Sequence, residues 1–96
     1  MKESVIERRL RVKVRDDLGG MALKFVSPGF NGVPDRIVLL PGGRVIFIET
    51  KAPRKDLRKL QKWVCSQICD LGFTVLKIDS IEGVDAFIEE AQAGGV

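Results

Sequence analysis

Asp35, Glu49 and Lys51 stand in or beside two apolar runs of the stretch GVPDRIVLLPGGRVIFIETK, residues 32–51, where their neighbours ask for a core. Side chains alternate along a strand, so Glu49 and Lys51 share one face with Val45 and Phe47, and Ile46, Ile48 and Thr50 take the other. Two explanations fit a carboxylate and an ammonium at this spacing. One is a solvated strand-edge ion pair, worth little. The other is a metal site in which the carboxylate ligates and the lysine steers a water or a phosphate. Pro41-Gly42-Gly43 reads as a hairpin turn, and such a turn folds Asp35 back to Glu49 and Lys51. Two carboxylates and one lysine then converge at one end of a sheet. A hard divalent cation takes one or two carboxylates of this kind, with waters and substrate phosphate.

Helices must frame that hairpin. Ile6, Leu10, Val14 and Leu18 recur every four residues and predict a helix from Glu3 to about Leu18, stopped by Gly19-Gly20. At about 100° per residue, Glu7 falls inside this apolar stripe, where a carboxylate is costly unless a cation or donor meets it. Glu3 falls in the stripe too, but at the helix start it is expected to be solvated and to favour the N-terminal dipole. A second helix is predicted from about Lys55 to Leu71, with Leu57, Leu60, Val64, Ile68 and Leu71 as its buried stripe. Gln61 lies on the flank of that stripe, either as a boundary glutamine or as a residue that holds a water or a phosphate. MALKFVS (21–27) and FTVLKID (73–79) read as strands, and a last amphipathic helix runs from about Gly83 to Ala93. The expected fold is α/β in the order α-β-β-β-α-β-α, a mixed sheet flanked by helices. The hairpin is antiparallel and the strand–helix–strand passage that follows is a right-handed parallel crossover. The unbroken aliphatic runs of the hairpin predict burial on both faces.

Composition narrows the chemistry. The 96 residues suit a single domain, 1–96, with 45% hydrophobic and 30% charged residues and a net charge of +3. There is no histidine, which removes Ser-His-Asp and Cys-His catalysis and His-liganded zinc. There is no tyrosine, which excludes a tyrosine recombinase mechanism, and no phosphate-loop motif. Cys65 and Cys69 lie one helical turn apart and read as two reduced thiols of a cytoplasmic protein. No apolar run reaches a membrane span, and the N-terminal MKESVIERRL is too charged for a secretory signal.

Taken together these residues resemble the PD-(D/E)xK nuclease superfamily and, within it, the virus-type replication-repair nuclease domain, VRR-NUC. Pro34-Asp35 matches the PD and Glu49-Thr50-Lys51 the ExK. Ala52-Pro53 and Gln61 match the proline after the lysine and the glutamine of the next helix. Ser27, Gly32 and Val33 fit the context that precedes the aspartate, and Glu7 corresponds to the helix-1 glutamate. The resemblance covers nearly the whole chain, and the α-β-β-β-α-β order is the core of that restriction-endonuclease-like fold, here with an extra C-terminal helix.

The resemblance implies metal-dependent phosphodiester hydrolysis. Asp35, Glu49, the Thr50 backbone carbonyl and Glu7 would bind Mg²⁺ or Mn²⁺, Lys51 would serve the attacking water or the developing charge, and Gln61 would position water or phosphate. Arg54, Lys55, Arg58, Lys59 and Lys62 crowd the expected start of the second helix and suit a DNA backbone, with Ser27 and Asn31 as further contacts. Arg8, Arg9, Arg11, Lys13 and Arg15 form a second basic set, part of it a solvated face. Trp63 reads as a dimer contact, a stacking platform or a half-buried flank residue. Phe30 reads as a wedge against bases or as a residue folded onto the core. Stand-alone domains of this size resemble Holliday-junction resolvases, which implies a structure-selective DNA endonuclease, a homodimer on branched DNA and a phage or prophage source. A non-catalytic nucleic-acid-binding module on the same fold is the alternative.

Overall fold

The computed structural model describes residues 1–96 and has the element order α1 (Glu3–Leu18), β1 (Met21–Lys24), β2 (Arg36–Leu40), β3 (Arg44–Thr50), α2 (Lys59–Asp70), β4 (Thr74–Ile78) and α3 (Ile81–Gln92). The strands form one mixed sheet in the order β1-β2-β3-β4. β1–β2 and β2–β3 are antiparallel, and β3–β4 is parallel across the α2 crossover. The β2–β3 turn places Gly42 and Gly43 at φ 81° and 76°, left-handed positions that favour glycine. Their register sets Arg36 opposite Ile48 and Leu40 opposite Arg44.

One face of the sheet carries the core. Ile6, Leu10 and Val14 of α1 and Val84, Phe87, Ile88 and Ala91 of α3 pack with Val38, Leu40, Ile46, Ile48 and Ile78. Arg9 ties the two helices together through paired contacts of 2.9 Å to Asp85. Arg44 donates to the carbonyls of Ala91 and Val96 and so closes the end of α3. On the opposite face α2 lies alone.

That asymmetry corrects two expectations. The hairpin strands are not buried on both faces: Val38 is fully buried, whereas Leu39 is 36% exposed. The second helix begins at Lys59, four residues later than expected, because Pro53 and a left-handed Arg54 (φ 66°) hold the preceding segment as turn and loop. Its sheet-facing side is therefore Gln61, Val64 and Cys65, and Leu60 and Leu71 lie outside it, 49% and 77% exposed. The β1–β2 loop reaches α2 at Gly32 (φ 93°), where a Cβ would stand 2.9 Å from Leu60 Cγ. A close approach of that kind admits only glycine. No helix is long and apolar enough to cross a membrane.

Candidate active site

The site forms where β2 begins and β3 ends. Pro34 is buried and delivers Asp35 one residue ahead of β2. The Asp35 N–H donates to Glu49 Oε1 at 3.0 Å. In return the Thr50 N–H donates to Asp35 Oδ1 at 3.0 Å, and the Thr50 hydroxyl to Oδ2 at 2.6 Å. PD and ExK are thus laced together by backbone and side chain.

The two strand faces then divide the charges. On the α2 side, Glu49 is 5% exposed. Its Oε2 accepts from Gln61 Nε2 at 3.0 Å and lies 3.4 Å from Lys51 Nζ. The other end of the Gln61 amide accepts the Arg58 N–H at 3.0 Å, closing the first turn of α2. Gln61 is therefore buried, not on a flank, and both its polar atoms are engaged with protein. In this arrangement it fixes Glu49.

On the α1 side, Glu3, Glu7 and Asp35 each bring a carboxylate oxygen within 4.8 Å of the others. The Thr50 hydroxyl also lies 3.3 Å from Glu7 Oε1. Having one proton to give, it serves the nearer Asp35 oxygen. Burial is the main cause that pushes the Asp35 carboxyl up to about 6. The Thr50 donors oppose the shift, and the Glu49 charge and a hydrogen bond with Glu7 add to it. Glu3 was expected in solvent; it is half-buried and joins this cluster. The signal was its one-turn spacing from Glu7, and what sequence does not reveal is that the start of α1 lies over Asp35.

The three carboxylates among the proposed metal donors thus fall in two groups. Asp35 and Glu7 share the oxygen cluster, joined by Glu3. Glu49 stands across the strand, its oxygens held by Asp35, Gln61 and Lys51. A crowded all-oxygen set with a carboxyl raised by burial fits a hard divalent cation, whose charge would relieve the crowding.

The basic residues are exposed around the rim. Arg54 and Lys55 sit in the loop before α2, where Lys77 donates to the Lys55 carbonyl at 3.1 Å. Arg58, Lys59 and Lys62 follow on the first turns of α2, and Lys62 is paired with Asp56 at 2.9 Å. Ser27 and Asn31 lie in the β1–β2 loop. The second basic set is partly neutralised, with Lys13 on Asp17 and Arg15 on Asp16.

The chain is 45% identical over 80 residues to "Putative nuclease p44" of Acyrthosiphon pisum secondary endosymbiont phage 1, a match spanning 83% of this chain and 85% of that protein. It also superposes on a solved VRR_NUC domain with a TM-score of 0.85 and 27% identity, covering 91% of this chain and 94% of the other. The chain belongs to the VRR-NUC nuclease family. No protein-family model matches it, so membership rests on these two likenesses, each spanning most of the chain. Within the VRR-NUC frame, the α/β order and the mixed sheet are as the sequence analysis expected.

Proposed function

We propose that this VRR-NUC chain is a Mg²⁺- or Mn²⁺-dependent DNA endonuclease selective for branched structures, acting as a homodimer in the cytoplasm of a bacterial or phage-infected cell. The observation that carries the reading is the interlocked PD–ExK pair, with the Asp35 and Glu7 carboxylates on one side of Thr50 and Glu49 with Lys51 on the other. When bound, the metal supplies Lewis-acid stabilisation of phosphoryl charge and a nucleophile at neutral pH, which a histidine-free side-chain set lacks. Asp35, Glu7 and Glu49, with the Thr50 carbonyl, would hold it. The Lys51 ammonium meets negative charge developing on the phosphoryl group. Gln61 keeps Glu49 from swinging away. Arg54, Lys55, Arg58, Lys59 and Lys62, with Ser27 and Asn31 beside them, line the path of a phosphate backbone.

The dimer is supported by the half-covered sheet face. Phe25, Phe30, Phe47, Ile68, Leu71 and Phe73 line an apolar groove of ≈ 330 Å³. Trp63, on the same helix as Ile68, is 55% exposed. Contiguous exposed apolar surface of this kind marks an interaction site. Sedimentation should give a dimer for wild type and a monomer for Trp63→Glu combined with Leu71→Glu; a wild-type monomer on DNA would remove the dimer from the proposal. The substrate reading is tested with end-labelled junction, flap, duplex and single-stranded DNA, in Mn²⁺ and in EDTA. Metal-dependent nicking that favours the branched substrates is expected. Binding to all of them with no product would instead identify a non-catalytic binding module.

A further inference from the structure

Arg36 follows Asp35 in the chain, and its side chain lies on the α1 face of the sheet with Val38 and Leu40, only 8% exposed. A guanidinium is rarely left there without full pairing. Its NH2 stands 3.6 Å from Glu7 Oε1, and its NH1 reaches the Ala22 carbonyl at 3.5 Å. Its Nε is buried and has no partner. Glu7 touches Thr50 and Arg36, and the Thr50 hydroxyl is committed to Asp35 at the shorter distance. Arg36 is therefore the cation that faces Glu7, just as Lys51 faces Glu49 on the other side of the strand.

We infer that Arg36 is a positioning residue: its buried guanidinium holds Glu7 turned toward Asp35, so that the α1-side carboxylates are already aimed before a divalent cation arrives. The inference rests on the metal-dependent reading above. It concerns the affinity for the cation rather than the chemical step. Without Arg36, three carboxylates crowd one another with no buried counter-charge, and Glu7 is free to turn to solvent. Simple attraction points the other way, because removing a cation makes the site more negative and should tighten cation binding. The two ideas predict opposite signs.

The test is calorimetric titration of Mn²⁺ alone into wild type, Arg36→Met and Arg36→Lys, with metal-free melting curves to establish folding. Loss of an outer partner of a metal ligand costs about 10- to 100-fold in metal affinity, and that weakening is expected for Arg36→Met. Arg36→Lys, which keeps the charge but not the fork, should fall between Arg36→Met and wild type. Equal or tighter binding by folded Arg36→Met overturns the inference and leaves the metal site standing. If Arg36→Met does not fold, Arg36→Lys decides: weaker binding than wild type supports the role, equal or tighter binding overturns it. Absence of Mn²⁺ binding by wild type overturns the metal-dependent reading and this inference together.

Discussion

Asp35→Asn should abolish cleavage and at the same time raise the melting temperature of the metal-free protein at neutral pH. The Asp35 carboxyl has an ordinary value of 3.8 and sits at about 6 in the folded chain, chiefly through burial. Below 3.8 it is protonated in both states and costs nothing. Between 3.8 and about 6 the unfolded chain releases the proton while the folded chain keeps it, so its contribution to stability falls as pH rises. Above that range the whole cost is present. Asparagine can still accept the Thr50 N–H and carries no charge, so it escapes the cost. The difference between variant and wild type should be near zero at the acid end and on the order of 1 kcal/mol at neutral pH, after allowance for solvent screening. For a domain of this size that is a rise of about 4–8 °C. Saturating Mn²⁺ should reverse the order, because cation binding stabilises only the chain that keeps its ligand. Melting curves of both proteins across pH, with and without Mn²⁺, measure all of this. A variant less stable than wild type at neutral pH without metal would show that the carboxylate is not strained.

Lys51→Ala should separate catalysis from binding. Lys51 is largely buried beside Glu49, while Glu49 keeps the Asp35 N–H and Gln61 as donors. Truncation therefore leaves the carboxylate held and the fold intact. What is lost is the positive charge beside Glu49, which the proposed function aims at the phosphoryl group. Removal of one such stabilising group costs about 10²- to 10³-fold in rate, and single-turnover cleavage should fall by that amount. Binding to junction DNA should remain within a few-fold, since the phosphate contacts assigned to Arg54, Lys55, Arg58, Lys59 and Lys62 are untouched. Unchanged cleavage would remove Lys51 from the mechanism. A parallel loss of binding would make it a phosphate contact.

The site was legible where it depends on local periodicity. Strand alternation and a glycine turn suffice to set Asp35 against Glu49 and to put Lys51 on the Glu49 face, and both are found. The inward Glu7 was visible as a charge within a stripe of period 3.6. What was not legible depends on how elements meet. Strand alternation would turn Arg36 away from Asp35, but Asp35 sits in a bend ahead of β2, and both side chains meet Glu7 under α1. The resemblance implies a role for Thr50 only through its backbone carbonyl, whereas its hydroxyl is the short contact to Asp35. Leu57 extends the helical pattern of α2 backward, but a proline and a left-handed arginine keep the helix from starting before Lys59. The period fixed the helix type and missed its start. Gln61 consequently moved from the flank of the helix to its buried face, where it holds Glu49.

The proposed function requires hydrolysis of a phosphodiester by carboxylate-held divalent cation chemistry at Asp35, Glu49 and Lys51. Its most direct measurement is a single time course: purified protein with end-labelled junction DNA in EDTA, followed by excess Mn²⁺, run beside Asp35→Asn. No product before the addition, discrete nicks in wild type after it and none in the variant is the expected record. Cleavage in EDTA, or equal cleavage by Asp35→Asn, would contradict the claim.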